Sequence, residues 1–90
     1  MKSKLIWDDW NINHIKKHQV SKKEVEEIYE SKSIKKQTHL DRILILGKTQ
    51  EGRLLTIVIS DDKIKGSYVV SARNMSRKER RYYNEQTEIN

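Results

Sequence analysis

Ninety residues make room for one domain, and with 34% hydrophobic against 36% charged residues its core must be small. The absence of cysteine excludes a disulfide scaffold and thiolate chemistry, and suits a reducing compartment. A net charge of +6 on so small a body points to a polyanionic partner, either nucleic acid or an acidic protein.

No apolar run near Met1–Trp7 is long enough for a signal peptide, and no window approaches the length of a membrane-spanning helix. A soluble cytoplasmic protein is expected. The charge is also unevenly spread. Residues 24–30 carry Glu24, Glu26, Glu27 and Glu30 with no base, whereas residues 32–53 carry Lys32, Lys35, Lys36, Arg42, Lys48 and Arg53 against Asp41 and Glu51.

In chain order, Leu5, Ile6 and Trp7 read as a short first strand. Asp8 or Asp9 can cap a helix running to about His18, with Trp10 and Ile15 as its apolar positions and Lys16 and Lys17 outward. Ser21 followed by Glu24 is a capping box, and Val25, Ile28 and Tyr29 form the buried stripe of the helix behind it. Residues 31–41 are polar and read as irregular, with at most a weak edge strand.

The hydrophobic period then changes. Residues 42–47 and 53–60 are near-continuous apolar runs, as in strands covered on both faces or central in a small sheet. Gly52 closes the turn between them, and 61–66 forms a second turn. A strand over 67–73 follows, then a helix over about 76–86 opened by Ser76 and Glu79, with 87–90 expected to fray. The sum is an α+β domain: a small antiparallel sheet of three to four strands, two N-terminal helices and one C-terminal helix.

Ser71 and Arg73, two residues apart near a strand end, project from one face. A guanidinium where a strand meets a helix start can form an anion site, because the first-turn N–H groups point the same way. The same residues would also make an ordinary junction with a solvated arginine. Lys17, His18, Arg42, Arg53 and Arg73 come from separate elements, and the three arginines lie at strand starts or ends, where side chains can converge. Metal-free RNA cleavage needs such a set: a base for the 2′-hydroxyl, cations for the phosphorane and an acid for the leaving 5′-oxygen. Histidine titrates near neutrality and arginine holds a phosphate at two points. A non-catalytic nucleic-acid- or ribosome-binding surface would carry the same residues.

His14 and His18, at i and i+4, could bind zinc with His39 as a third ligand. Lys16 and Lys17 between them repel a dication and the HExxH pattern is missing, so no metal or other cofactor is expected. Partial burial against the sheet is the expectation for at least one of the pair.

Trp7 and Asp8, Lys17 and His18 followed by Val20, Gly52 and Arg53 entering an apolar strand, and above all the run 71–80 with Tyr83 beyond it form a pattern across residues 5–83. In these residues the chain resembles the BrnT family, ribonuclease toxins of type II toxin–antitoxin systems with a RelE-like fold. It departs from the family pattern at His14, where Asn is common, and at Gln19, where Gly is usual. The first helix and the segment 31–41 are also short for the family.

The resemblance implies a RelE-like fold and a toxin that cleaves RNA and slows translation. It also implies a partner: a ribbon-helix-helix antitoxin similar to BrnA, in a paired complex that binds promoter DNA. Lys17, His18, Arg53 and Arg73 would form the catalytic surface. Arg42, Ser71 and Lys36 are added as RNA-binding candidates, and Glu79, Arg80 and Tyr83 are read as structural or partner-facing. A subunit that binds its antitoxin without retaining activity would share the resemblance.

Overall fold

The computed structural model describes residues 4–38, 41–62 and 64–88. His39 and Leu40 of the polar segment, Lys63 of the second turn and the last two residues lie outside the described residues. The elements are β1 (Leu5–Ile6), α1 (Asp9–Lys16), α2 (Lys22–Glu30), β2 (Ile34–Gln37), β3 (Arg42–Lys48), β4 (Leu54–Asp62), β5 (Gly66–Asn74) and α3 (Arg77–Glu88). The class is α+β with three helices. No helix among the described residues is long and apolar enough to cross a membrane.

The sheet has five strands in the order β1-β5-β4-β3-β2 and is mixed, where three or four antiparallel strands were expected. β1 runs parallel to β5, with Ile6 opposite Tyr68, and the remaining neighbours are antiparallel. The segment 31–41 supplies β2, pairing Ile34 with Leu46 and Gln37 with Ile43. A short lysine-bearing edge strand has little local signal, yet its charges discourage edge-to-edge association.

Helices cover both faces, which accounts for the continuous apolar runs of β3 and β4. On one face Ile15, Val25, Ile28 and Tyr29 of α1 and α2 pack on Ile45, Leu55, Ile57, Ile59, Val69 and Ala72. On the other, Tyr83 of α3 joins Met75 and Leu46, flanked by Ile34, Leu54 and Tyr82. Adjacent residues such as Ile45 and Leu46 serve opposite clusters, as a period of two requires. Close approach of α2 is permitted by Gly47, where a Cβ would stand 2.6 Å from Ile28 Cγ2.

A register shift lies opposite Val58 and Ile59, which pair with Ser71 and Val69 and leave Val70 as the extra residue. The bulge lets Val69 and Ala72, three positions apart, share the α1/α2 face. Ser71 and Arg73 consequently turn to the α3 face. At the other end of β5, Gly66 has φ +118, and a Cβ there would meet the Lys4 carbonyl at 2.5 Å, so only glycine fits between the β4–β5 turn and β1.

All three helices start where side chains can cap them. Asp8 and Asn11 exchange bonds of 2.9 Å, and Asn11 also donates to the Ile6 carbonyl at 3.0 Å. That use of Asn11 places it inside with Ile15, one helical turn on, and rotates Trp10 outward to 57% exposure. Trp10 is thus not part of the apolar side of α1. Ser21 with Glu24 and Ser76 with Glu79 form the expected boxes. α3 continues through Thr87 and Glu88, where fraying was expected, and the Thr87 hydroxyl donates to the Tyr83 carbonyl at 2.9 Å.

Candidate functional site

α1 stops at Lys16, two residues before the expected end near His18, and Lys17 to Gln19 form a closing turn. The Gln19 amide bonds the Lys16 carbonyl at 2.9 Å and the Val20 amide reaches back to Ile15 at 3.1 Å. These are the 5→2 and 6→1 bonds of a Schellman ending, sealed by the buried pair Ile15 and Val20. The motif demands a left-handed residue, and Gln19 takes φ 60 without being glycine. The turn aims Lys17 and His18 away from the core, and both are exposed.

Lys17, His18 and Gln19 face Arg73 and Asn74 from the end of β5 across a shallow pocket of about 320 Å³. Arg53, just before β4, braces its wall. Its Nη1 donates to the Gln19 carbonyl at 2.9 Å and to Glu24 Oε2 at 2.8 Å, and its Nη2 donates to Asn74 Oδ1 at 3.3 Å. The four residues named as catalytic candidates therefore meet at one end of the sheet.

Both arginines are held by capping glutamates. Glu24 caps α2 and grips Arg53, while Glu79 caps α3 and binds Arg73 at two points, 2.7 and 3.0 Å. Glu79 further accepts from the Thr56 hydroxyl at 2.9 Å and from the Ser76 amide at 2.9 Å. Thr56 lies directly opposite Arg73 in the β4–β5 ladder, which brings the three groups together. Arg73 and these donors pull the Glu79 carboxyl down to about 2, against the desolvation that opposes them. In turn, hydrogen bonding to Glu79 raises the Arg73 guanidinium above its ordinary value.

Arg73 is accordingly not the free guanidinium of an anion site at a helix mouth. Its fork is engaged by Glu79, leaving the remaining guanidinium surface to the pocket. Glu79, expected from the sequence to be structural or partner-facing, has a structural part as the clamp on this arginine. Glu24, Gln19 and Asn74 were missed as site-forming residues. The boxes Ser21–Glu24 and Ser76–Glu79 were visible, but an i, i+3 pattern says nothing of the arginine each glutamate meets.

The RNA-binding candidates lie elsewhere. Arg42 does not converge with the other arginines: it sits opposite Ser60, whereas Arg73 sits opposite Thr56, about 13 Å away along β4 alone. Its Nη1 bridges Asp41 at 3.2 Å. Lys36, on the edge strand, places Nζ 4.9 Å from the Tyr82 ring in a groove with Leu44 and Leu46 on the α3 face. Ser71 is half-buried on the same face as Arg73, one step further along β5. Of the histidines, His14 is half-buried and stacks on Trp10, and His18 is exposed. Among the described residues no group of three His, Cys, Asp or Glu side chains could hold a metal ion.

What the pocket can do follows from its members. His18 brings an imidazole that can give or take a proton, and Lys17 and Arg73 place positive charge beside it in the same pocket. Arg53, bonded to both, fixes the positions of the Gln19 carbonyl and Asn74. No family model, curated protein or solved structure matches the chain.

Proposed function

We propose that this protein is a metal-independent endoribonuclease of the BrnT toxin type, which slows translation by cutting RNA in the cytoplasm. In this reading a ribbon-helix-helix antitoxin holds it inactive, and the paired complex binds promoter DNA. One observation supports it above the others: Lys17, His18 and Arg73, from separate elements, line one pocket, and Arg53 is bonded to two of that pocket's other residues.

His18 carries the proton exchange, since it supplies the only imidazole among the residues lining the pocket, a group that can act as base or acid. Lys17 and Arg73 hold the scissile phosphate and the extra charge that develops on it as the 2′-oxygen attacks. Arg53 is a positioning residue, because its hydrogen bonds go to the protein. Lys36, Arg42 and Ser71 lie outside this pocket and would touch RNA only along a longer path.

The test is cleavage of single-stranded RNA by purified protein in EDTA, with analysis of the ends. Products with 2′,3′-cyclic or 3′-phosphate and 5′-hydroxyl ends support the reading. Cleavage that disappears with chelator and returns with Mg²⁺ refutes it. RNA binding without cleavage would instead favour a non-catalytic nucleic-acid-binding module. Co-expression with the neighbouring gene tests the partner: an antitoxin should co-purify, with an interface weakened by salt.

A further inference from the structure

The outer side of α1 carries Trp10 and His14 at i and i+4, and His18 in the closing turn just beyond the helix continues the stripe. The rings touch in sequence. Trp10 and His14 stack at 4.7 Å between centroids and 9° between planes, and His14 meets His18 edge-on at 5.6 Å and 72°. More than half of the Trp10 surface is nevertheless exposed. A hollow of about 270 Å³ beside it is lined by Asp9, Trp10, Asn13, His14 and Lys17. Lys17 also lines the candidate site, and His18, the last ring of the stripe, lies in that site. The aromatic stripe and the cationic pocket are therefore one continuous surface.

We propose that the Trp10–His14 stack is a platform for an unpaired base of single-stranded RNA, next to the phosphate held at Lys17 and Arg73; this rests on the ribonuclease reading above. An open indole face already backed by a parallel ring is suited to receive a further flat ring, and base–aromatic stacking is how single strands are held without sequence preference. Asp9 in the hollow repels a phosphate, while Lys17 on the shared rim attracts one, so a base lies over Trp10 and the backbone follows the lysine. A duplex keeps its bases stacked on one another and offers no face to Trp10. The substrate class is thereby narrowed to single-stranded or splayed-out RNA.

The test uses a labelled 2′-O-methyl oligoribonucleotide of about 8 nucleotides, which has no free 2′-hydroxyl to attack and so reads binding alone. By fluorescence anisotropy, Trp10→Ala should weaken binding roughly 10-fold or more, and Trp10→Phe should recover most of the loss. The exposed position leaves folding intact, which far-UV circular dichroism verifies. Binding of the matching duplex should not respond to either substitution. Single-strand binding by Trp10→Ala at wild-type strength overturns the platform, as does failure of the wild type to bind the oligonucleotide. So does unchanged oligonucleotide binding with loss of a co-purifying antitoxin, which would assign the face to a protein. Trp10-dependent binding without cleavage of unmodified RNA upholds the platform while removing the ribonuclease reading. Cleavage by Trp10→Ala with unaltered KM does the reverse.

Discussion

Glu79 joins the end of β5 to the start of α3, and replacing it with glutamine isolates the value of its charge. The carboxyl falls from 4.5 to about 2 on folding, equivalent to about 3 kcal/mol. The Glu79 side chain is 18% exposed but its partner Arg73 is 38% exposed, so solvent screening reduces this to about 1–2 kcal/mol. Because the folded-state value is depressed, the contribution is complete above about pH 4.5 and is lost as the pH falls through about 2. Glu79→Gln should therefore lower the thermal midpoint by about 5–15 °C at pH 7, and the gap from wild type should close as both are melted at successively lower pH. Glu79→Ala should cost about 1–3 kcal/mol more, because the Thr56 hydroxyl, at 0% exposure, is left without its acceptor. Melting curves at pH 7, 4.5 and 2.5 decide the matter. A gap of constant size across that series would show that the glutamate acts by shape and hydrogen bonding, and would refute the charge argument.

Arg73→Ala should lose activity by roughly 10²–10³-fold and also about 1 kcal/mol of stability, with Arg73→Lys recovering part of each; an unshifted melting curve would count against the clamp. His18→Ala should lower cleavage about 10²–10⁴-fold with a stability change inside about 0.5 kcal/mol, since the ring is exposed; equal rates for the two proteins would remove His18 from the site. Gln19→Gly relieves a left-handed residue worth about 1 kcal/mol, partly offset by a more flexible unfolded chain, so the midpoint should rise by a few degrees; a fall would mean that the Gln19 side chain contributes more than its backbone costs.

What the chain determines by itself is what neighbouring residues decide together. Ser21 with Glu24 and Ser76 with Glu79 mark helix starts because cap and partner lie three residues apart. The runs at 42–47 and 53–60 announce strands because nearly every position between their ends is apolar whichever face it joins. Val25, Ile28 and Tyr29 pack as their spacing predicts. Lys17 and Arg73, which share the pocket, were likewise legible as candidates from residue type and position.

Tertiary structure alone decides the rest, through contacts between residues distant in the chain. Leu5 and Ile6 read as a strand on their own, but their parallel pairing with Ser67 and Tyr68 is one that no hairpin signal encodes. Ile34–Gln37 becomes a strand because β3 offers it a free edge, a property of the partner rather than of its own polar residues. The extra Val70 turns Arg73 toward Thr56 and Glu79, and without that bulge the alternation of β5 would have placed it differently. Arg42 and Arg53 look alike at the starts of strands, yet antiparallel pairing of β3 with β4 sends them to opposite ends of the sheet. Local patterns specify which residues are cations; only the packed sheet determines which of them meet and which carboxylate each one faces.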